Sequence, residues 1–168
     1  MDTGDHIQKD LMFSYVDMSL DNGLGDVTIK DEAFYDGELH WSYLTAIAHA
    51  NGTDWWIINP AIKEGGYLTY SLDAGGIILD KVQRVGPDLS ARYTGASGDA
   101  KFSPDGTNYS LFNHYDGLLL FDFNRKTGVL SNLRQIPFEM PEQVKFATHE
   151  WSSNSATFIS LRKIASGK

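Results

Sequence analysis

The stretch Phe102-Ser103-Pro104-Asp105-Gly106-Thr107-Asn108-Tyr109 is a polar turn held between apolar residues, and it recurs along the chain. A related stretch, Ala48-His49-Ala50-Asn51-Gly52-Thr53-Asp54-Trp55, stands 54 residues earlier, and a looser one, Trp151-Ser152-Ser153-Asn154-Ser155-Ala156-Thr157-Phe158, 49 residues later. Asn-Gly and Asp-Gly predict hairpin turns, because such turns need positive φ, which Gly accepts freely and Asn or Asp at small cost. A second unit recurs out of phase with the first: Val16-Asp17-Met18-Ser19-Leu20-Asp21, Leu68-Thr69-Tyr70-Ser71-Leu72-Asp73 and Leu119-Leu120-Phe121-Asp122-Phe123-Asn124, at spacings of 52 and 51. Its members carry large apolar residues at alternate positions and leave through Asp or Asn.

Two-residue alternation of this kind puts Leu119, Phe121 and Phe123 on one side of a strand and Leu120, Asp122 and Asn124 on the other. No helical periodicity is sustained, and 16 Gly with 5 Pro punctuate segments rich in aromatic and β-branched residues. The chain therefore reads as all-β. A period near fifty with four short strands per unit is the pattern of a β-propeller blade of the WD40-like kind. One unit places strands a to d at Asp99 to Ser103, Tyr109 to His114, Leu118 to Asn124 and Val129 to Ile136. The earlier one places them at Leu44 to Ala48, Trp55 to Asn59, Tyr67 to Leu72 and Ile77 to Val85. Met12 to Leu20 and Val27 to Phe34 read as strands c and d of a preceding blade, and Val144 to Trp151 and Thr157 to Arg162 as a and b of a following one. The expectation is a single partial β-propeller of about three blade-equivalents: a half blade over 11–36, blades over 44–86 and 98–137, and a half blade over 144–162.

Length and composition agree with one folded domain: 168 residues, 42% apolar and 21% charged. Fourteen basic against 22 acidic residues give a net charge of −8, which repels nucleic-acid phosphates and anionic lipid headgroups, so neither is expected as a partner. The absence of Cys excludes disulfides and thiolate chemistry. The acidic, polar opening Met1-Asp2-Thr3-Gly4-Asp5 has no apolar stretch behind it, so no secretory signal is expected there, and no apolar run reaches the roughly 18 residues of a membrane span.

The run from Leu44 to Ile58, with its His49-Ala50-Asn51-Gly52-Thr53-Asp54-Trp55-Trp56 string, resembles the N-terminal propeller of large secreted proteins from bacteria that use type IX secretion. So do Phe102-Ser103-Pro104-Asp105-Gly106-Thr107 and the run Val16 to Val27. The resemblance implies an extracellular or cell-surface protein in which the propeller is a binding or scaffold module, with no established reaction and no cofactor.

Candidate chemistry is sparse. Trp55 and Trp56 alternate, so one ring is expected to face one neighbouring blade and the other the opposite blade. Asp54 and Asn108, just after their turns, are expected to satisfy backbone donors. The five His residues, at 6, 40, 49, 114 and 149, have no spacing that makes a tetrahedral metal site, and Asp21 and Asp26 flank a Gly-rich turn that does not fit a calcium loop. No metal is expected. Asn51-Gly52-Thr53 and Asn108-Tyr109-Ser110 match the glycosylation sequon. A propeller-type hydrolase or lactonase, with its site in the channel, is the alternative to a non-catalytic module. It requires two carboxylates in distinct environments facing one cleft, for which Asp17, Asp116 and Asp122 are available.

Blade topology points to one end. The b–c turns and d–a connections share a rim that would collect His40, Trp41, Lys63, Glu64, Arg92, Tyr93, His114, Tyr115 and Asp116. Mixed aromatic and charged loop tips suit a glycan, a peptide or a protein ligand. The two half blades add up to one, so either two copies exchange halves into a homodimer, or further blades of a longer parent chain complete the ring.

Overall fold

The computed structural model describes residues 8–40, 42–90, 98–113, 116–138 and 144–164. They form twelve strands: β1 Gln8–Asp17, β2 Asp26–Leu39, β3 Thr45–Ala48, β4 Trp55–Ala61, β5 Gly66–Asp73, β6 Gly76–Gln83, β7 Asp99–Phe102, β8 Asn108–Asn113, β9 Gly117–Asn124, β10 Val129–Ile136, β11 Val144–Trp151 and β12 Phe158–Ile164. Among the described residues the only helical element is one 3-10 turn at Asp21–Gly23. The protein is all-β, and each strand overlaps a segment where alternation and turn residues predict one.

Every pairing is antiparallel, as short connections between consecutive strands require. β7 to β10 form a four-stranded sheet in chain order, β3 to β6 pair in the same order, and β11 and β12 form a separate hairpin. The β1–β2 hairpin joins the first sheet through a single backbone pair, Leu39 with Ala61, supported by a bond from Ile62 N to Glu38 O at 2.9 Å. Both sheets are open among the described residues.

The two sheets pack face to face. Trp56 and Ile58 of β4 and Tyr67 of β5 meet Tyr109 and Leu111 of β8 and Phe121 and Phe123 of β9 in one buried cluster. On the other face of the first sheet, Leu11 and Leu39 from the base of the β1–β2 hairpin pack with Ala61, Leu68 and Tyr70, and the Phe34 ring stands edge-on to Tyr70 at 5.1 Å. On the far face of the second sheet, β11 lies against β7 and β8. The edge strands β3, β7 and β11 of successive sheets are therefore neighbours, β3 with β7 and β7 with β11.

The turns show why these sequences fold as they do. Asn51, Asp105 and Asn154 each accept the N–H two residues on, from Thr53, Thr107 and Ala156, through Oδ1. Each loop is also closed by paired backbone bonds: Ser103 N donates to Asn108 O and Gly106 N to Ser103 O, with the same pattern at His49 and Ser152. These are six-residue Asx-framed loops and not the two-residue hairpin turns that Asn-Gly and Asp-Gly predict, because the side-chain oxygen caps the loop in place of a tight backbone turn. The position filled by Gly52 and Gly106 at φ +83 and +71 is filled by Ser155 at φ +59.

Three further expectations need correction. Asp54 and Asn108 do not satisfy the backbone donors; Asn51 and Asp105 do, while Asp54 accepts from Asn51 Nδ2 and Thr53 Oγ1, and Asn108 from Arg134 Nη2. The first strand ends at Asp17 and not at Leu20. Asp17 accepts from Ser19 N and Oγ, so it takes the exit place of Asp73 and Asn124, and positive φ at Asp21, Asn22, Gly23 and Gly25 turns the chain back. Finally, only Trp56 is enclosed between sheets, at 6% exposure. Trp55 points to the opposite face and is 46% exposed, because the β1–β2 hairpin covers that face only near its base.

Candidate functional site

Antiparallel order puts the strand ends that flank the β2–β3, β4–β5, β6–β7 and β8–β9 connections at one end of the stacked sheets, the end of the candidate rim. Of its nine residues, Trp41, Arg92, Tyr93, His114 and Tyr115 lie outside the described residues. The other four fall into two groups.

His40 and Asp116 sit beneath the surface, each 4% exposed. His40 Nε2 donates to the carbonyl of Leu89 at 3.0 Å, which ties the first long connection to the second. Burial pushes its pKa down to about 4, against the smaller opposing effect of that carbonyl, so the ring is neutral at pH 7. Asp116 closes the β8–β9 connection: its N–H donates to Asn113 Oδ1 at 2.8 Å, and its carbonyl accepts from Gln135 Nε2 at 3.1 Å. Close by, the hydroxyls of Tyr43, Tyr67 and Tyr109 are buried with no hydrogen-bond partner among the described residues. Desolvation, with Asp116 or Asp99 adding to it, holds all three phenols protonated well above their usual range.

Lys63 and Glu64 lie at the solvent side of the same end. Glu64 accepts a 2.5 Å bond from Tyr35, whose phenol is raised by burial and then by this carboxylate. Arg84 Nε donates to the Glu64 carbonyl at 3.0 Å. Lys63 joins Asp36, Gly37 and Glu38 around an open hollow of about 360 Å3. Two carboxylates and one ammonium in a shallow hollow suit hydrogen bonding to a hydroxyl-rich or cationic group.

A larger hollow, about 520 Å3, lies at the opposite end between the β7–β8 and β9–β10 turns, where sequence reasoning placed no site. Arg125 and Lys126 line it, with Asp105 and Asp122. Its charges are largely engaged: Arg125 Nε donates to Ala48 O at 2.9 Å, and Asp122 pairs with Arg134 at 2.6 Å.

The hydrolase alternative depends on convergence, and the three carboxylates are engaged separately. Asp17 caps its hairpin turn, Asp116 is enclosed at the β8–β9 connection, and Asp122 is held by Arg134 and Asn132. Among the described residues no three His, Cys, Asp or Glu are grouped to hold a metal. One pair has the distance of a nucleophile and its base: Ser110 Oγ lies 2.6 Å from His149 Nε2. Both residues are 1% exposed, and Trp151 Nε1 donates to the same hydroxyl at 3.0 Å, so no face is left open to a substrate. The pair fastens β11 to β8. In the sequence Ser110 stands out only as the end of a sequon, and no spacing there brings it to His149. Among the described residues no helix is long and apolar enough to cross a membrane. Compared with protein-family models, curated proteins and solved structures, the chain matches none.

Proposed function

We propose that this chain is a partial β-propeller acting as a non-catalytic binding or scaffold module, with its ligand on the rim formed by the β2–β3, β4–β5, β6–β7 and β8–β9 connections. Three features support the propeller reading: face-to-face sheets with one strand order, neighbouring edge strands β3, β7 and β11, and three loops with one hydrogen-bond frame. Secretion to the cell surface rests on the resemblance of the His49 to Trp56 string. The observation that carries the binding reading is the hollow beside Lys63, where Asp36 and Glu38 stand at the solvent edge of a rim whose interior His40 and Asp116 fix. A glycan or a basic peptide is the ligand class these groups fit.

The test is a chemical-shift titration of the 15N-labelled protein with a panel of neutral oligosaccharides and with a short Lys-rich peptide. Saturable shifts at 36–38 and 62–65, abolished by Asp36→Asn with Glu38→Gln, are expected. Shifts confined to 105–107 and 122–126 would move the site to the opposite end, and no shifts with either probe class would remove the binding reading.

A further inference from the structure

We infer that the two terminal hairpins complete each other between two copies of this chain. The outer edge of β12 in one copy pairs with the outer edge of β1 in the other, giving a four-stranded antiparallel sheet ordered β11-β12-β1-β2. This follows from strand order and edge exposure, and it does not depend on any ligand.

The complete sheet runs β7-β8-β9-β10. The β11–β12 hairpin has the connectivity of its first two strands and the β1–β2 hairpin that of its last two. Among the described residues neither β1 nor β12 has a partner on its outer edge, and an open edge recruits another strand. Within one copy the hairpins cannot meet, because β1–β2 packs on the outer face of the first sheet and β11 on the outer face of the second. A second copy related by two-fold symmetry supplies both missing halves at once, so that the outer edges of β1 and β12 are paired in both copies.

Charge and exposed apolar surface agree with that occupant. Residues 8–39 carry eight acidic and two basic side chains, whereas 144–164 carry three basic and one acidic. The hairpins therefore attract each other, while like hairpins repel. Tyr15, Val16, Val27 and Ile29 of the first hairpin are exposed, and Ile159 of β12 is 65% exposed. If the partner's β11–β12 sits over β3 and β4 as β11 sits over β7 and β8, it comes down on Leu44 and Trp55, which are bare in the single copy.

The chain has no Cys, so introduced thiols are unique reporters. Light scattering at tens of micromolar is expected to give twice 18.7 kDa. Ile159→Asp, at a residue exposed in the single copy, should return the mass to 18.7 kDa with an unchanged far-ultraviolet circular dichroism spectrum. A mixture of Tyr15→Cys and Ile159→Cys proteins, treated with a short bismaleimide, should yield the mixed adduct and little of either self-adduct. A single-copy mass for the unaltered chain would overturn the inference, as would a ladder of masses. Predominant Tyr15→Cys self-adducts, meaning that like hairpins pair, would overturn it equally.

Discussion

At the scale of single residues, the packing between the two sheets turns on Trp56. Its ring lies against Gly128, where a Cβ would approach it to 3.0 Å, and its indole N–H donates to Arg125 O at 2.8 Å. Lys81 Nζ stands over the ring, 5.5 Å from its centre. Trp56→Ala should cost about 3–5 kcal/mol, from lost burial and the cavity left behind. Trp56→Phe keeps a ring but forfeits the hydrogen bond, on the order of 1 kcal/mol more than packing loss alone. Glycine positions give a sharper contrast. Gly52 and Gly106 hold equivalent places with positive φ, but a Cβ at Gly52 meets nothing within 4 Å, whereas at Gly106 it would come to 2.6 Å from Arg125 Cδ. Gly52→Ala should therefore lose only the cost of a left-handed alanine, about 1–2 kcal/mol. Gly106→Ala should lose more, because it also displaces the guanidinium that bonds Ala48 O and Asp105 O. Urea unfolding with an unchanged m-value measures both, and equal losses would show that Arg125 moves aside freely.

Among the elements, the docking of the β11–β12 hairpin is held, at its described side chains, by a set of polar groups. Thr148 Oγ1 donates to Asp99 at 2.7 Å, Lys101 pairs with Glu150 at 2.6 Å, and Ser110 receives both His149 and Trp151. The Lys101 pair is partly solvated and contributes little. Ser110→Ala, which takes away the hydroxyl that the buried His149 and the half-buried Trp151 address, should lower stability by about 1–3 kcal/mol. Amide exchange over 148–151 should accelerate more than exchange over 118–123, and uniform acceleration would mean that the hairpin does not open by itself. This junction also marks where sequence reading stops. Strands were legible because alternation and Asx or Gly punctuation are local, and Asn154 continues the frame of Asn51 and Asp105 without a glycine. The register of Asp17 was lost because Asp21, four residues on, has the same side chain, and only tertiary geometry distinguishes them. At the rim, sequence located the connections but not depth: His40 and Asp116 are polar residues in loops that fold inward. The Ser110–His149 contact joins residues 39 apart on different sheets, a relation no spacing encodes.

For the whole molecule, the titration of the two enclosed imidazoles sets an acid limit on stability. Burial holds His40 and His149 down to about 4, whereas an unfolded histidine takes up its proton near pH 6.5. Between these values the unfolded chain binds up to two more protons than the folded one, so stability falls as pH falls. The loss begins below about 6.5, approaches 1.4 kcal/mol per pH unit for each histidine in mid-window, and ends near 4, where the folded rings protonate as well. Asp17, Asp105 and Glu150 have lowered pKa values, the first two from hydrogen bonds led by Ser19 and Ser103 and the third from Lys101, and their contribution fades as pH falls through the ordinary carboxylate range, from the foot of that window downward. Above about pH 5 the decline therefore belongs to the histidines. Urea unfolding at pH 7.5, 6 and 5 should show a steep decline that His149→Gln or His40→Gln each reduces by about half and the double variant removes. His40 belongs to the connection ahead of the first sheet and His149 to the last hairpin, so a shared transition would mean that acid acts on both ends of one cooperative stack. A flat profile between pH 7.5 and 5, or a slope that survives in the double variant, would show that neither ring is held neutral by the packing around it.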